Sequence, residues 1–454
     1  MRRTTGLCAL LAAAVLGTGF LTADPGRGVS AEAAAPAPAS APSTRRDVMF
    51  VGNNWAGTAT VVDARTYRPI KTINIVPDKQ QELKDIYLNP VRLLLYLAIQ
   101  QVVAEGHDQL VDDMFTTPDG NLVAVSRPSF GDVVWIDLAT NKIVAEQQMD
   151  GFRTDHMQVS PDGKRLLVSD STSKQVIEFA LGGRGQSWTG KRIRTFTSGE
   201  TPHESNYTKD GERIFHASIG RVYTPLDAGE LGPLGDLIKA DRWFQIVRNS
   251  DFKVLRRWDM GKELAEFGLK NMSSAVRPMA ISPDERYVYL QVSFFHGFVV
   301  FDTQAKDANA TVDYTLGDLP EPRTGKVIRT VNLRQSEAVK RMLREQYTLD
   351  SAHHGLAIDR TGKKLCVAGT MSDYAALIST DGKQRTYFDG GSKPYWATTS
   401  PFNNTCWVSM SGTDQVFVID YATRKVIRKI PVGTHPQRVR EGHLSVRVQQ
   451  AWAK

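Results

Sequence analysis

A chain of 454 residues is long enough for two or three domains unless one repeat runs through it as a single unit. Its formal charge of +7 falls to +5 once residues 1–23, with Arg2 and Arg3, are removed, and the remaining excess is spread among Asp and Glu. That pattern argues against nucleic acid as a partner and for an ordinary solvated surface.

The chain opens on an address. Met1-Arg2-Arg3 is a basic start, and the apolar run from Leu7 to Leu21 is too short to span a bilayer comfortably. Leu21-Thr22-Ala23 and Val29-Ser30-Ala31 offer small-residue cleavage points. Residues 1–23 are therefore expected to be a signal peptide, with cleavage as late as 31–35, and the mature protein to be exported without a transmembrane anchor. Arg2-Arg3 fits an ordinary basic start better than a twin-arginine signal, and Cys8 lies too early for a lipoprotein anchor. Residues 24–46 are rich in Ala, Pro and Ser and are expected to form a disordered tether.

From residue 110 one phrase recurs six times: a short apolar stretch, a turn of the Ser-Pro-Asp-Gly kind, a hydrophobic strand, a polar loop, a second strand ending near Asp-x-x-Thr, and a third strand. The turns include Thr117-Pro118-Asp119-Gly120, Ser160-Pro161-Asp162-Gly163, Lys209-Asp210-Gly211, Ser282-Pro283-Asp284, Arg360-Thr361-Gly362 and Ser400-Pro401-Phe402-Asn403. A period of about 40 residues with several strands per unit predicts a β-propeller, one blade per unit. Residues 47–76 supply three strands of a further blade, and Pro436-Gln437-Arg438-Val439 supplies its innermost strand. The expectation is thus an all-β, seven-bladed propeller over residues 47–443 as one domain, the first blade closed by the C-terminal strand, with residues 444–454 as a tail.

Three long insertions, residues 78–111, 221–241 and 317–352, fall in connections that reach one face of the disc. Residues 80–86 and, after Asn89-Pro90, 91–103 are expected to be helical, as are residues 336–343. The reading as a lid over the channel stands beside that of helices laid on the rim for stability. Cys366 and Cys406 occupy matching places in consecutive blades. Export and an even count suit a disulfide, but equivalent positions on neighbouring blades tend to sit further apart than the ~4.4–6.8 Å between Cα atoms that a disulfide needs, which favours buried free thiols.

Aligning the turns shows what lines the channel mouth. Seven and six places before each turn Asp, or its equivalent, stand Asp112-Asp113, Asp155-His156, His203-Glu204, Arg277-Pro278, His354-Gly355 and Tyr395-Trp396, with Gln437-Arg438 as the closing pair. His353 precedes His354, and His296 lies in a loop on the same side. The candidate metal ligands are His156, His203, His353 and His354, at least three of which are expected to converge on copper, iron or zinc, or to act as a base on a bound ligand. Glu204 and Asp155 would orient the rings. Arg127, Arg277 and Arg438 read either as anchors for a carboxylate or phosphate or as internal partners of Asp112, Asp113 and Asp155. Channel walls are polar in any propeller, and no local spacing such as His-x-x-x-His marks a metal site.

Arg277-Pro278-Met279-Ala280-Ile281-Ser282-Pro283-Asp284, Gln415-Val416-Phe417-Val418-Ile419-Asp420 and Ile430-Pro431-Val432-Gly433 resemble the YVTN-type propeller repeat of bacterial and archaeal exported and surface proteins, over roughly residues 47–440. The repeat is also similar to the propellers of nitrous oxide reductase and the haem d1 cytochrome, a resemblance that implies channel-face histidines able to hold copper or haem. The chain has no Cys-x-x-Cys-His haem site and no cupredoxin cysteine cluster, so neither electron-transfer domain accompanies it. The expected function is binding of a small molecule, peptide or cell-surface polymer at the mouth by a monomer; the alternative is a histidine-dependent metalloenzyme, an oxidoreductase or lyase, in the same place.

Overall fold

The computed structural model describes residues 44–221, 238–269, 278–306, 324–347 and 351–454. The expected signal peptide and most of the tether lie outside them. The described chain forms seven four-stranded antiparallel sheets, the blades of a propeller. Blade one is the mixed one: Pro436–Leu444 is its innermost strand, followed outward by Arg46–Asn53, Thr58–Asp63 and Pro69–Asn74. Val51 pairs with Val439 and Phe50 with Arg440 across the seam, so the two ends of the propeller are tied by a strand ladder and neither leaves an open edge. The innermost strands of blades two to seven are Met114–Thr116, Thr154–Val159, Pro202–Tyr207, Met279–Ile281, Leu356–Ile358 and Pro394–Thr399.

The recurring turn is built by its polar side chains. In blade three the Ser160 hydroxyl donates to Asp162 (2.5 Å), Asp162 accepts from the Lys164 amide, and Ser160 Oγ accepts from the Arg165 amide. Gly163 sits at φ 70°, a conformation that glycine adopts without steric cost. Middle strands such as Leu122–Arg127 and Asp132–Asp137 bury every residue, because both faces meet neighbouring blades. The outermost strand Lys142–Gln148 alternates exposed and half-buried positions. The core therefore lies between blades. Phe244, Trp258 and Phe301 interlock between blades four and five with ring centroids 5.1–5.4 Å apart, spacings at which aromatic edges and faces attract.

The first insertion forms two helices, α1 (Lys79–Leu88) and α2 (Pro90–Ala98), continued by one wide turn, Ile99–Val103. Asn89 separates them: its side chain accepts from the Val91 and Arg92 amides (3.1 and 3.2 Å), while Pro90 takes the first helical position. Ile86 and Tyr96 are buried, whereas Tyr87, Leu88, Val91 and Leu94 remain exposed on the outer side. The helix expected over 336–343 is not formed. Only a single 3-10 turn, Val339–Arg341, appears there, without a side-chain cap, as the cost of nucleating a short uncapped helix predicts. Residues 222–237 of the second insertion, 317–323 of the third and 348–350 lie outside the described residues.

Two further points differ from expectation. Cys366 and Cys406 form a disulfide, with Cα atoms 6.4 Å apart. Small side chains around them, Ala357, Ala368, Ala375 and Ala397, let blades six and seven approach closely enough. Residues 444–454 are more than a tail: Val446–Trp452 is a helix capped by Ser445 and docked on blade two, where Trp452 donates to the Leu138 carbonyl (2.7 Å) and Arg447 pairs with Asp137 (2.7 Å).

Candidate functional site at the channel mouth

Each innermost strand starts at the mouth, so the residues just before and at its start share one height. Six blades contribute: Arg438 from blade one, Asp112 and Asp113 from two, Asp155 and His156 from three, His203 and Glu204 from four, His354 from six, Tyr395 and Trp396 from seven. All are buried; Arg438 is 1% exposed, His156 2% and His203 4%. Gly355 makes the gathering possible. A Cβ there would stand 2.3 Å from the Ala397 amide nitrogen and 2.5 Å from the Trp396 carbonyl carbon, so only glycine lets blade six pass Trp396.

Arg438 is the hub. Its guanidinium lies 3.8 Å from the Trp396 ring centroid, its Nη2 is 3.3 Å from Asp112 Oδ1, and the same Nη2 contacts His156 Nε2. The same Nε2 also lies 3.3 Å from Asp155 Oδ1, so it stands between a group that only donates and one that only accepts. Burial, then Arg438, His203 and His354, hold the His156 pKa well below its ordinary value. Burial pushes the Asp112 carboxyl up to about 7, against the pull of Arg438. Burial also works to raise Asp155, but Arg153 (2.5 Å), His203 and Arg438 hold its carboxyl below the usual range.

The four histidines do not all meet. His156 and His203 are in contact, ring centroids 3.8 Å apart, and Asp155, His156 and His203 place one ligand atom each within 4.8 Å of one another. His354 borders this group, 6.1 Å from His203, and stacks on Tyr395 at 4.0 Å. His353 faces elsewhere. Its Nε2 bonds the Tyr374 hydroxyl (3.0 Å), and its ring is 5.8 Å from His296, which bonds the Tyr347 hydroxyl (2.9 Å). His353 and His296 thus form a separate buried pair, with pKa values lowered to about 3 and about 4, chiefly by burial.

Other candidates are engaged in holding the ring. Asp113 takes a fork from Arg440 (2.6 and 2.7 Å) and accepts from the Met157 amide of the next blade. Glu204 repeats that tie, accepting from the Met279 amide of blade five (3.0 Å), and burial raises its pKa. Arg127 is not at the mouth: it pairs with Asp132 and, at 2.5 Å, with Asp78 ahead of α1, and so fastens the insertion to blade two. Arg277 lies outside the described residues. Alignment by turns missed Arg153 and Arg440, which stand outside the aligned pairs, and Gln109, which accepts from Arg153 (3.1 Å).

Gln109 belongs to a strap. Residues 105–110 touch four blades at the mouth: Glu105 pairs with Lys393 of blade seven (2.6 Å), the Leu110 amide donates to Asn54 of blade one, Gln109 bonds Ser129 of blade two, and Arg153 is in blade three. His107 and His435 stack on opposite faces of Trp55, at 3.7 and 3.8 Å. The insertion is therefore latched to four of the blades that surround the mouth.

The chain is a seven-bladed β-propeller, the architecture the YVTN-type repeat implied. No family model and no curated protein sequence matches it. Among solved structures it is similar to the hydrazine synthase of Kuenenia stuttgartiensis, with a TM-score of 0.54 and 14% identity over 83% of this chain and 92% of that one; at such identity the likeness shows the fold alone. Dihydro-heme d1 dehydrogenase NirN (TM-score 0.47, 13% identity, 86% of this chain and 66% of that one) and a functionally unknown protein from Desulfotomaculum acetoxidans (0.46, 11%, 68% and 79%) are similar more distantly. Among the described residues, no helix is long and apolar enough to cross a membrane.

Proposed function

We propose that this protein is an exported β-propeller that binds a small molecule in its channel mouth. The observation that carries the reading is the burial of Arg438, Asp112, Asp155, His156 and His203 at one point. Burying charge costs stability unless it is fully compensated, and such clusters concentrate at functional sites. An enclosed mouth suits a small molecule better than a peptide or surface polymer, which needs an open groove. The disulfide supports an oxidising compartment. A thermal-shift screen of the purified protein against a broad small-molecule library tests the reading, with His203→Ala as the control that must lose any hit. A screen in which no compound raises the melting temperature of the wild type overturns it.

A metal reading is favoured by one specific observation, the close grouping of Asp155, His156 and His203. Two imidazoles and a carboxylate suit copper, iron or zinc, and such an ion would supply Lewis-acid or redox chemistry for an oxidoreductase or lyase. Against it, Arg438 Nη2 stands at His156 Nε2, one of the two ring nitrogens open to such an ion. Elemental analysis of purified protein, followed by zinc and copper titration of wild type and His203→Ala, decides; absence of both bound and titratable metal eliminates it.

A further inference from the structure

We infer that the ligand of this mouth is a small anion, a carboxylate or another oxyanion, held by Arg438; the inference rests on the mouth being a ligand site. Three observations carry it. Arg438 has five N–H bonds, of which those on Nη2 face His156 and Asp112, while Nε and Nη1 are buried and have no hydrogen-bond partner. Arg153 Nε is in the same position, although the rest of that guanidinium is bound to Asp155, Ser171 and Gln109. His156 Nδ1 is buried without a partner beside them, and it is a donor in the tautomer whose Nε2 accepts from Arg438. Every unmet group on the two arginines is a donor. A cationic ligand would be repelled by them and a neutral acceptor would meet them with ordinary hydrogen bonds, whereas an anion answers them with stronger charge-assisted bonds and balances the guanidinium charge.

The charges point the same way. Arg440 is matched by a two-pronged bond to Asp113, and Arg153 by a 2.5 Å contact with Asp155. Arg438 has no such match, since its carboxylate neighbour Asp112 stands 3.3 Å from a single nitrogen. Trp396 covers one face of the guanidinium at 3.8 Å, which directs an incoming anion to the N–H edge.

Titration calorimetry of the full chain with sodium acetate, sodium sulfate and inorganic phosphate, each against a sodium chloride blank of equal ionic strength, tests the inference. At least one probe is expected to bind saturably, and Arg438→Gln to weaken it tenfold or more. Because Arg438→Gln is at risk of not folding, Asp112→Asn is the second variant. It removes the charge competing for Arg438 and is expected to tighten the same probe at least threefold. Failure of all three probes on the wild type, or unchanged affinity in Asp112→Asn, overturns the anion. If oxyanions fail while zinc, copper or a neutral library compound binds in a His203-dependent way, the mouth remains a ligand site and only its assignment to anions falls. If nothing binds, both fall.

Discussion

Arg438 of the last strand lies 3.8 Å from the ring centroid of Trp396 in the neighbouring blade, and Arg440, two residues on, lies 5.0 Å from the same ring. Two guanidiniums from one strand thus share one indole, each drawn to the face of its π system, and the strand that closes the ring also carries the central cation of the mouth.

That arrangement makes Arg438→Ala costly in a pH-dependent way. Removing one partner of a buried ionic cluster costs about 3–5 kcal/mol, here by stranding Asp112. The Asp112 carboxyl, already raised to about 7, rises further without the cation. A carboxyl raised in the folded state favours the fold when protonated, and that contribution is lost as pH rises through its folded pKa. Urea titrations should therefore show a larger deficit for Arg438→Ala at pH 8 than at pH 6, and equal deficits would refute the coupling.

Acid should destabilise the protein before its carboxylates titrate as a group. Burial lowers His216, His353 and His435 to about 3 and His296 to about 4. These rings are neutral when folded and charged when unfolded, so their contribution is complete above about 6.5 and is lost as pH falls below it, at up to about 1.4 kcal/mol per pH unit each. Asp112 and Asp132, both near 7, act in the opposite sense from about pH 4 to pH 7 and offset part of this slope, so the test compares wild type with a histidine variant between pH 6 and 5. His353→Asn should shift the slope in that window by up to about 1.4 kcal/mol per pH unit relative to wild type; identical slopes in the two proteins contradict the assignment.

The disulfide spans 40 residues, and closing a loop of that size is worth about 3–4 kcal/mol in the chain-entropy account. Cys406→Ser should lose roughly that amount in chemical denaturation. Thiol titration in denaturant should find only Cys8 before reduction and three thiols after it in the full-length chain. Three thiols without reductant would disprove the bond.

The strap depends on Trp55, held between His107 and His435. Trp55→Ala should release residues 105–110 locally, raising their amide exchange rates tenfold or more while the unfolding of the blades stays cooperative. Unchanged exchange in that segment would mean that Glu105 and Gln109 suffice to hold it.

Much of this was legible without coordinates. A repeat period near 40 residues can bury its sheets only by stacking neighbours, so the propeller and its mixed blade follow from spacing alone. The heights of Asp112, Asp155, His203, His354 and Trp396 follow too, because each stands six or seven residues before a turn that sets the strand register, and Arg438 follows from matching the closing strand to the other innermost strands. Direction around the axis does not follow. His353 and His354 are adjacent, and successive side chains of an extended chain point to opposite sides; His354 joins the mouth while His353 turns to Tyr374. Arg153, Arg440 and the Gln109 strap reach the mouth by side-chain length or by crossing from another blade, which no linear spacing records. The Cys366–Cys406 bond was decided by how closely alanines let two blades approach, and Arg127 by the carboxylates it met in three dimensions. The sequence alone determined the period and the register, which are local; partnership at the mouth was decided by tertiary packing, because the residues that meet there come from six different blades.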